Sequence, residues 1–191
     1  MSLLDKTVET FRLAIFPLPG TVFFPNTLLP LHIFEPRYRE MTRAVLASSR
    51  ELSVVLLKPG YEANYEGRPA FFGVAGAGVI VWDQKLPDGR YNFVLQGVDR
   101  VEVLEEVDVE KPYRTALVRR IADLYPSGGP AALGAEAETL RRMFVELLTK
   151  RPDAPPELVA MAEHAPSPGA LADGVASVVV ADASGKQALL E

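Results

Sequence analysis

The chain contains only two histidines, His32 and His164. His32 stands three residues before Glu35, and such a pair could hold a metal ion or act as an acid–base couple. Two ligands are too few for a typical zinc site, and His164 lies far away in the sequence. We therefore expect His32 to be a hydrogen-bonded strand residue and Glu35 to lie near a helix N-terminus, where its charge is favoured.

Other patterns that could carry catalysis or bind a cofactor are weaker. Ser184 and Lys186 are close only in sequence, at a predicted helix start, so they do not indicate a Ser–Lys dyad. Gly73, Gly76 and Gly78 fall within a strand pattern, whereas a dinucleotide-binding loop places G-x-G-x-x-G at a strand-to-helix turn. No G-x-x-x-x-G-K-[ST] phosphate loop occurs. The sequence therefore predicts a protein without enzymatic activity, metal or cofactor.

Arginines in the first predicted helix are a candidate anion site. Arg37, Arg39 and Arg43 share this helix with Glu40, and they could bind a small anion or a peptide carboxylate. Such a set is more often a solvated face from which one arginine bridges to a neighbouring element. We expect this structural role for the three arginines and for Arg100.

Aromatic residues beside turns and a loop are the candidate contacts for a partner. A dense aromatic set usually belongs to the core, whereas a set exposed in one patch marks a site for a protein partner or an unfolded peptide. The sequence leaves both alternatives open. The candidate binding residues are Phe23, Phe24, Tyr61, Tyr65, Phe71 and Phe72.

The elements that carry these residues begin with a proline-rich segment. Five prolines interrupt the apolar residues 16–41, which indicates edge strands and corners, and Glu35-Pro36 is typical of a helix start. Short strands at this spacing predict an antiparallel barrel or sandwich with one internal helix. The predicted strands cover residues 12–16, 28–34, 52–57, 71–85, 91–96 and 114–121, with a further alternation around Val101 and Val103.

The composition changes at residues 126–130, PSGGP, which we interpret as a linker. Beyond it, helices are predicted over residues 131–150, 157–164 and 168–180, and Ser184 and Gln187 form a capping-box pattern before a last turn. We therefore predict a β-rich part over residues 10–124 and a helical part over residues 130–191. The predicted inner positions of the first of these helices are Leu133, Ala137, Leu140, Phe144 and Leu147.

The composition limits the class of partner. The net charge of -5 argues against nucleic acid and against an anionic membrane surface. The longest apolar run, residues 70–82, is too short for a membrane span and contains three glycines, and no signal-peptide pattern precedes it. The absence of cysteine fits a reducing compartment, so we predict a cytoplasmic protein.

Several motifs resemble the N-terminal domain of the Lon protease family. The most specific is PLHIFEPRYREM at residues 30–41, and FPLP at 16–19, LPDGRY at 86–91, LQG at 95–97 and DRV at 99–101 follow the family's order. The resemblance resumes at PGALAD, residues 168–173, and at KQALLE, residues 186–191. The residues that carry the signature, expected to be structural, are Pro30, His32, Phe34, Glu35, Pro36, Arg37, Tyr38, Gly97 and Arg100.

This resemblance implies an α+β fold, a PUA-like antiparallel β pseudo-barrel with one internal helix followed by a small C-terminal α-helical bundle. It also implies a non-catalytic module that binds unfolded polypeptide or a protein partner in protein quality control, because the family's ATPase and peptidase reside in later domains. Two alternatives stay open. One is an RNA-binding PUA-like module, which the acidic charge disfavours, and the other is the N-terminal fragment of an ATP-dependent protease. The oligomeric state is left open.

Overall fold

Six strands and five α-helices make up the computed structural model, which describes residues 9–107 and 110–191. None of the helices in these two ranges is long and apolar enough to cross a membrane. The β-rich part contains β1 (Thr10–Leu18), β2 (Leu28–Ile33), α1 (Pro36–Leu46), β3 (Glu51–Leu56), β4 (Val74–Lys85), β5 (Tyr91–Val107) and β6 (Arg114–Ile121). The helical part contains α2 (Gly134–Thr149), α3 (Pro156–His164), α4 (Pro168–Val179) and α5 (Ala183–Leu190).

The strands form one sheet in the order β2-β5-β4-β3-β1-β6, and a second pairing of β5 with β6 joins its two sides. Strand β5 makes both pairings because it is 17 residues long, whereas the sequence predicted two separate segments there. The sheet is therefore closed on itself but is not a regular barrel. Among the described strands, β1 and β3 pair in parallel across a connection that contains β2 and α1, and the other pairings are antiparallel.

Helix α1 covers the main core of the sheet. Pro36 occupies its first turn, where a missing N–H costs nothing. Tyr38, Met41 and Val45 are buried on one face, as their spacing predicts. They pack in one cluster with Phe16 and with core residues of β2 to β5. The predicted mixed α+β fold with an internal helix is confirmed.

The connection between β1 and β2 crosses β4 and β5 in direct backbone contact. A Cβ atom built on Gly76 would lie closer than 3.0 Å to the carbonyl oxygen of Phe23, and one built on Gly97 equally close to that of Phe24. Only glycine leaves room for a second backbone at this distance. The pairing of β4 with β5 also shifts its register at this place, between Ala77 and Gly78. The glycines therefore serve this close crossing as well as the strand geometry.

The crossing directs two neighbouring side chains into two different cores. Phe23 enters the main core under α1. Phe24 enters a second cluster, which it shares with Ala176 of α4 and Leu190 of α5. The same short segment thus fills the sheet's interior and anchors the helical part against the sheet.

Arg100 of β5 is the main polar link between the sheet and the helices. Its guanidinium binds both carboxylate oxygens of Asp173 in α4, the carboxylate of Asp123 at 3.1 Å, and the carbonyl oxygen of Leu190 at 3.0 Å. Burial raises the pKa of Asp173 above its usual range, although the arginine acts in the opposite direction. The pair therefore fixes how the two parts dock and leaves a costly buried charge if one partner is removed.

The helical part departs from the sequence prediction in two places. In α2, Leu147 is 37% exposed and Leu148 is buried, so the predicted inner position is wrong by one residue. In α5, Asp182 is the N-cap, because its side chain accepts a hydrogen bond from the Gly185 amide. The predicted Ser184–Gln187 capping box is wrong: Gln187 instead donates to the carbonyl of Val74 at 2.9 Å. The division at residues 10–124 and 130–191 stays a prediction.

The crossing predicts a strong dependence on Gly76. We expect Gly76→Ala to lower the free energy of unfolding by about 2–3 kcal/mol, because the added methyl overlaps backbone that cannot rotate away. Gly73→Ala is the matched control, since no atom lies within 4 Å of its added methyl, and we expect a change within about 0.5 kcal/mol. Urea denaturation measures both. Equal effects of the two substitutions would contradict the crossing.

The ion pair between Arg100 and Asp173 should contribute more to stability than an exposed ion pair of the sheet. Arg100→Met should destabilise the protein by about 3 kcal/mol, because it strands the buried carboxylate of Asp173. Adding Asp173→Asn should restore part of the loss. Arg119→Met, which removes a more exposed pair with Glu102, should cost less than about 1 kcal/mol. A loss for Arg100→Met no greater than that of Arg119→Met in urea denaturation would refute the proposed role.

Candidate functional site

On the outer surface of β2, β5 and β4, where an antiparallel sheet normally carries polar residues, one row of paired side chains is apolar, between rows that contain Gln96 and Asn92. Pro30, Val94 and Trp82 stand directly opposite one another across these three strands. Leu28 of β2 and Phe34, which directly follows β2, lie on either side of this row and are 65% and 60% exposed, and Trp82 is 51% exposed. We call Leu28, Pro30, Phe34, Trp82 and Val94 the apolar sheet face. Because neighbouring strands are about 4.8 Å apart, its central row is about 10 Å wide.

His32 holds one end of the apolar sheet face by ordinary hydrogen bonds. Its Nδ1 lies 2.6 Å from Oδ1 of Asn92, and Arg90 donates to its Nε2 at 3.3 Å. These contacts fit the neutral tautomer that carries its proton on Nδ1. The ring stacks with Phe34, with 6.3 Å between their centroids. His32 therefore positions the exposed side chain of Phe34. Its hydrogen-bond partners differ from those of Glu35.

Strand β2 is an edge strand in the described sheet, and Pro30 blocks part of that edge. The Gly97 amide donates to the Thr27 carbonyl at 2.8 Å, so the odd-numbered residues of β2 direct their backbone groups toward β5. The even-numbered residues, including Pro30, then face the free edge. Because proline has no N–H, a strand added there would lose a central hydrogen bond. The geometry favours contact with the sheet's side chains over strand addition.

A second concave site lies between the start of α1, the loop before β4 and the segment before β6. We call it the cationic cavity, and its volume is about 230 Å³. Arg37, Arg68, Lys111 and Arg114 line it, and Glu66 is the acidic residue among its lining. Its walls also contain Tyr38, Tyr65, Tyr113 and several prolines. Burial raises the pKa of Tyr38 to about 12, so this phenol is neutral at physiological pH.

Arg37 is held in place by the loop before β4. Its Nε donates to Glu35 at 2.9 Å, and its terminal nitrogens lie 3.4 Å from the carbonyl oxygens of Tyr65 and Glu66. The Tyr65 hydroxyl donates to the other oxygen of Glu35 at 3.1 Å. Glu35 thus orients both side chains. Arg39 and Arg43 line a different concavity, with Lys85 and Tyr91, so the arginines that share α1 do not form one site.

Arg114 is the most buried cation of the cavity. It donates to both carboxylate oxygens of Glu106 and, at 2.7 Å, to the carbonyl of Pro69. These contacts lower the pKa of Glu106, and Arg68 adds to the effect. The guanidinium also lies 4.6 Å from the ring of Phe71. The acids that hold Arg37 and Arg114 lie outside the lining, whereas both arginines belong to it.

The six predicted aromatic contacts do not form one patch. Phe23 and Phe24 are 2% and 1% exposed, so their assignment to a binding surface is corrected: both are core residues. Tyr61 and Tyr65 are partly exposed in the loop before β4 and contact each other edge to face at 6.2 Å. The remaining two, Phe71 and Phe72, are partly exposed beneath Arg114 and Lys58.

The sequence does not predict the apolar sheet face. Its pattern places Leu28, Trp82 and Val94 in strands and does not indicate which side of the sheet their side chains occupy. The available signal was that both alternating sets of β2 are apolar, although one set is exposed. Lys111 and Arg114 were also missed, because only the fold brings them beside Arg37.

The weaker catalytic candidates are engaged elsewhere. Ser184 donates to Asp182 at 2.6 Å, and Lys186 donates to the carbonyl of Ser177 at 2.7 Å, so they do not contact each other. Within residues 9–107 and 110–191, no three His, Asp or Glu side chains come close enough together to hold a metal ion.

Comparison with known proteins places these features in a family. Residues 12–191 match the model of the "ATP-dependent protease La (LON) substrate-binding domain". Lon protease 2 of Myxococcus xanthus is 32% identical over 181 residues, which are 94% of this chain and 21% of that protein. The Lon protease of Methylocella silvestris is 32% identical over 180 residues, 94% of this chain and 22% of that protein. The chain therefore spans about a fifth of the length of these curated relatives.

Solved structures share the fold. The N-terminal domain of a Mycobacterium avium complex Lon protease aligns with a TM-score of 0.71 at 16% identity, covering 95% of this chain and 90% of that one. A Lon N-terminal domain protein from Xanthomonas campestris aligns with a TM-score of 0.63 at 19% identity, with the same coverage. With the family match over nearly the whole chain, these findings show that the chain belongs to the Lon substrate-binding domain family.

Proposed function

We propose that this domain is a non-catalytic recognition module that binds unfolded or extended polypeptide through the apolar sheet face. The observation that carries the proposal is the row of Pro30, Val94 and Trp82, flanked by exposed Leu28 and Phe34. Exposed apolar side chains grouped on one surface are typical of interaction sites, and tryptophan is among the side chains that most often carry the binding energy there. The family description, a substrate-binding domain, supports the same function.

Recognition by a sheet face suits a ligand of variable sequence. Apolar burial is not directional, so a surface of this kind accepts many side chains as long as they are hydrophobic. Unfolded proteins expose such side chains, whereas folded proteins bury them. The blocked edge at Pro30 would also keep the domain from adding strands of other chains indiscriminately. A module of this kind would distinguish unfolded from folded protein in quality control.

The relatives named above are Lon proteases, of which this chain matches about a fifth. We therefore propose that the domain presents polypeptide to an ATP-dependent protease. We also propose a cytoplasmic location, which the lack of cysteine supports. An RNA-binding role is disfavoured, because the net charge of the chain is -5.

Binding of a permanently unfolded protein, reduced and carboxymethylated, tests the proposal. Trp82 is the only tryptophan, so a ligand without tryptophan can be followed by the indole emission, which should shift to shorter wavelength as the half-exposed ring is covered. Phe34→Ser should weaken binding about tenfold, because it removes an exposed aromatic contact. The native form of the ligand should not bind.

Leu124→Ser is the matched control, since Leu124 is 97% exposed and lies outside the apolar sheet face. It should leave the affinity unchanged, and both variants should unfold at the wild-type urea concentration. If the two substitutions weaken binding equally, or if the indole emission does not respond to bound ligand, the assignment of the site is wrong.

A further inference from the structure

We propose that the cationic cavity binds the C-terminal carboxylate of a polypeptide chain, which makes the chain end a specific feature of the ligand. This inference rests on the proposed function, because it adds a carboxylate site to polypeptide recognition. It concerns residues separate from the apolar sheet face and is carried by charge, size and position.

The charge of the cavity is opposite to that of the protein. Four cationic side chains and the carboxylate of Glu66 line it, and Glu35 and Glu106 pair with two of the cations from behind. One positive charge is left in excess among these seven groups, whereas the whole chain has a net charge of -5. The guanidiniums of Arg37 and Arg114 are fixed from outside the lining by Glu35 and Glu106. Because the Nε of each arginine already donates to its glutamate, a ligand carboxylate would accept from the terminal N–H groups that remain.

Lys111 supplies hydrogen-bond donors that the cavity does not use internally. Among the described residues, its ammonium contacts only the ring of Tyr113, at 5.4 Å from the centroid. An ammonium has three N–H donors, so a carboxylate can bind it without breaking an existing ion pair with a described residue. Arg37 adds terminal nitrogens whose contacts to carbonyl oxygens are long, at 3.4 Å.

The size of the cavity favours a chain end over the middle of a chain. Its volume of about 230 Å³ is below the about 300–1,000 Å³ of pockets that enclose drug-sized ligands. The backbone of a bound C-terminal residue continues on one side only. A residue from the middle of a chain needs room for backbone on both sides. The tyrosine and proline walls can pack against the terminal side chain, and Tyr38 adds no negative charge because its pKa is about 12.

The position of the cavity relates it to the apolar sheet face. Phe34 belongs to that face and Arg37 lines the cavity, and three residue steps separate their Cα atoms by at most about 11 Å. A peptide held by its C-terminal carboxylate would need only a few more residues to reach the face. Two weak contacts joined through one chain give a higher overall affinity than either alone.

Three versions of one apolar decapeptide, labelled with fluorescein at the N-terminus, test the inference by fluorescence anisotropy. The first ends in a free carboxylate, the second in an amide, and the third carries an internal glutamate and an amide end. We expect the free acid to bind about tenfold more tightly than either of the others, because charge-assisted hydrogen bonds are lost with the amide.

Lys111→Met should reduce the ratio of acid to amide affinity toward one while leaving the affinity of the amide unchanged. Lys58→Met is the matched control, because Lys58 is an exposed lysine over the ring of Phe72 and does not line the cavity, so the ratio should remain. Arg114 is not a suitable position for the test, because it is buried and its substitution would also affect folding.

The outcomes separate this inference from the proposed function. Equal affinity of the acid and the amide would overturn the inference, as would binding of the internal glutamate peptide as tight as that of the free acid. If Phe34→Ser still weakens all three peptides, the proposed function stands without the carboxylate site. If none of the three peptides binds, both proposals fail together.

Discussion

The architecture depends on one close contact, the passage of the Phe23–Phe24 backbone over the glycines of β4 and β5. Gly76 and Gly97 allow this approach because any Cβ atom there would overlap a carbonyl group. The crossing places Phe23 in the core under α1 and Phe24 in the core shared with α4 and α5. The crossing segment thus packs toward the helices. The outer surface of β2, β5 and β4 keeps exposed apolar side chains.

Local structure followed from the sequence because it depends on local chemistry. Pro36 marks the start of α1, and Gly89, with a φ of 82°, lies in the turn between β4 and β5, in the gap between the predicted strands 71–85 and 91–96. Features that depend on residues far apart in the chain could not be predicted from the sequence. The parallel pairing of β1 with β3 depends on contacts distant in sequence, and the cationic cavity depends on Lys111 and Arg114 meeting α1. Local alternation also cannot show whether an apolar strand face is buried, which is why Trp82 was missed.

The structure shows which contacts the residues of the family signature, residues 30–41, make. Pro30 and Phe34 belong to the apolar sheet face, and His32 holds Phe34 by stacking. Glu35 then orients Arg37, which lines the cationic cavity. One continuous segment therefore contributes to an apolar surface and to a cationic site. This arrangement connects the sequence pattern with the polypeptide recognition that we propose for the domain.

The most direct measurement of the central claim is a map of backbone amide chemical-shift changes when an unfolded polypeptide is added to the isotope-labelled domain. Our account predicts the largest changes in β2 and the adjoining Phe34, around Trp82 in β4 and around Val94 in β5. Changes confined to the exposed apolar residues of α2 and α4, such as Met143 and Val179, would place recognition on the helical part and contradict it.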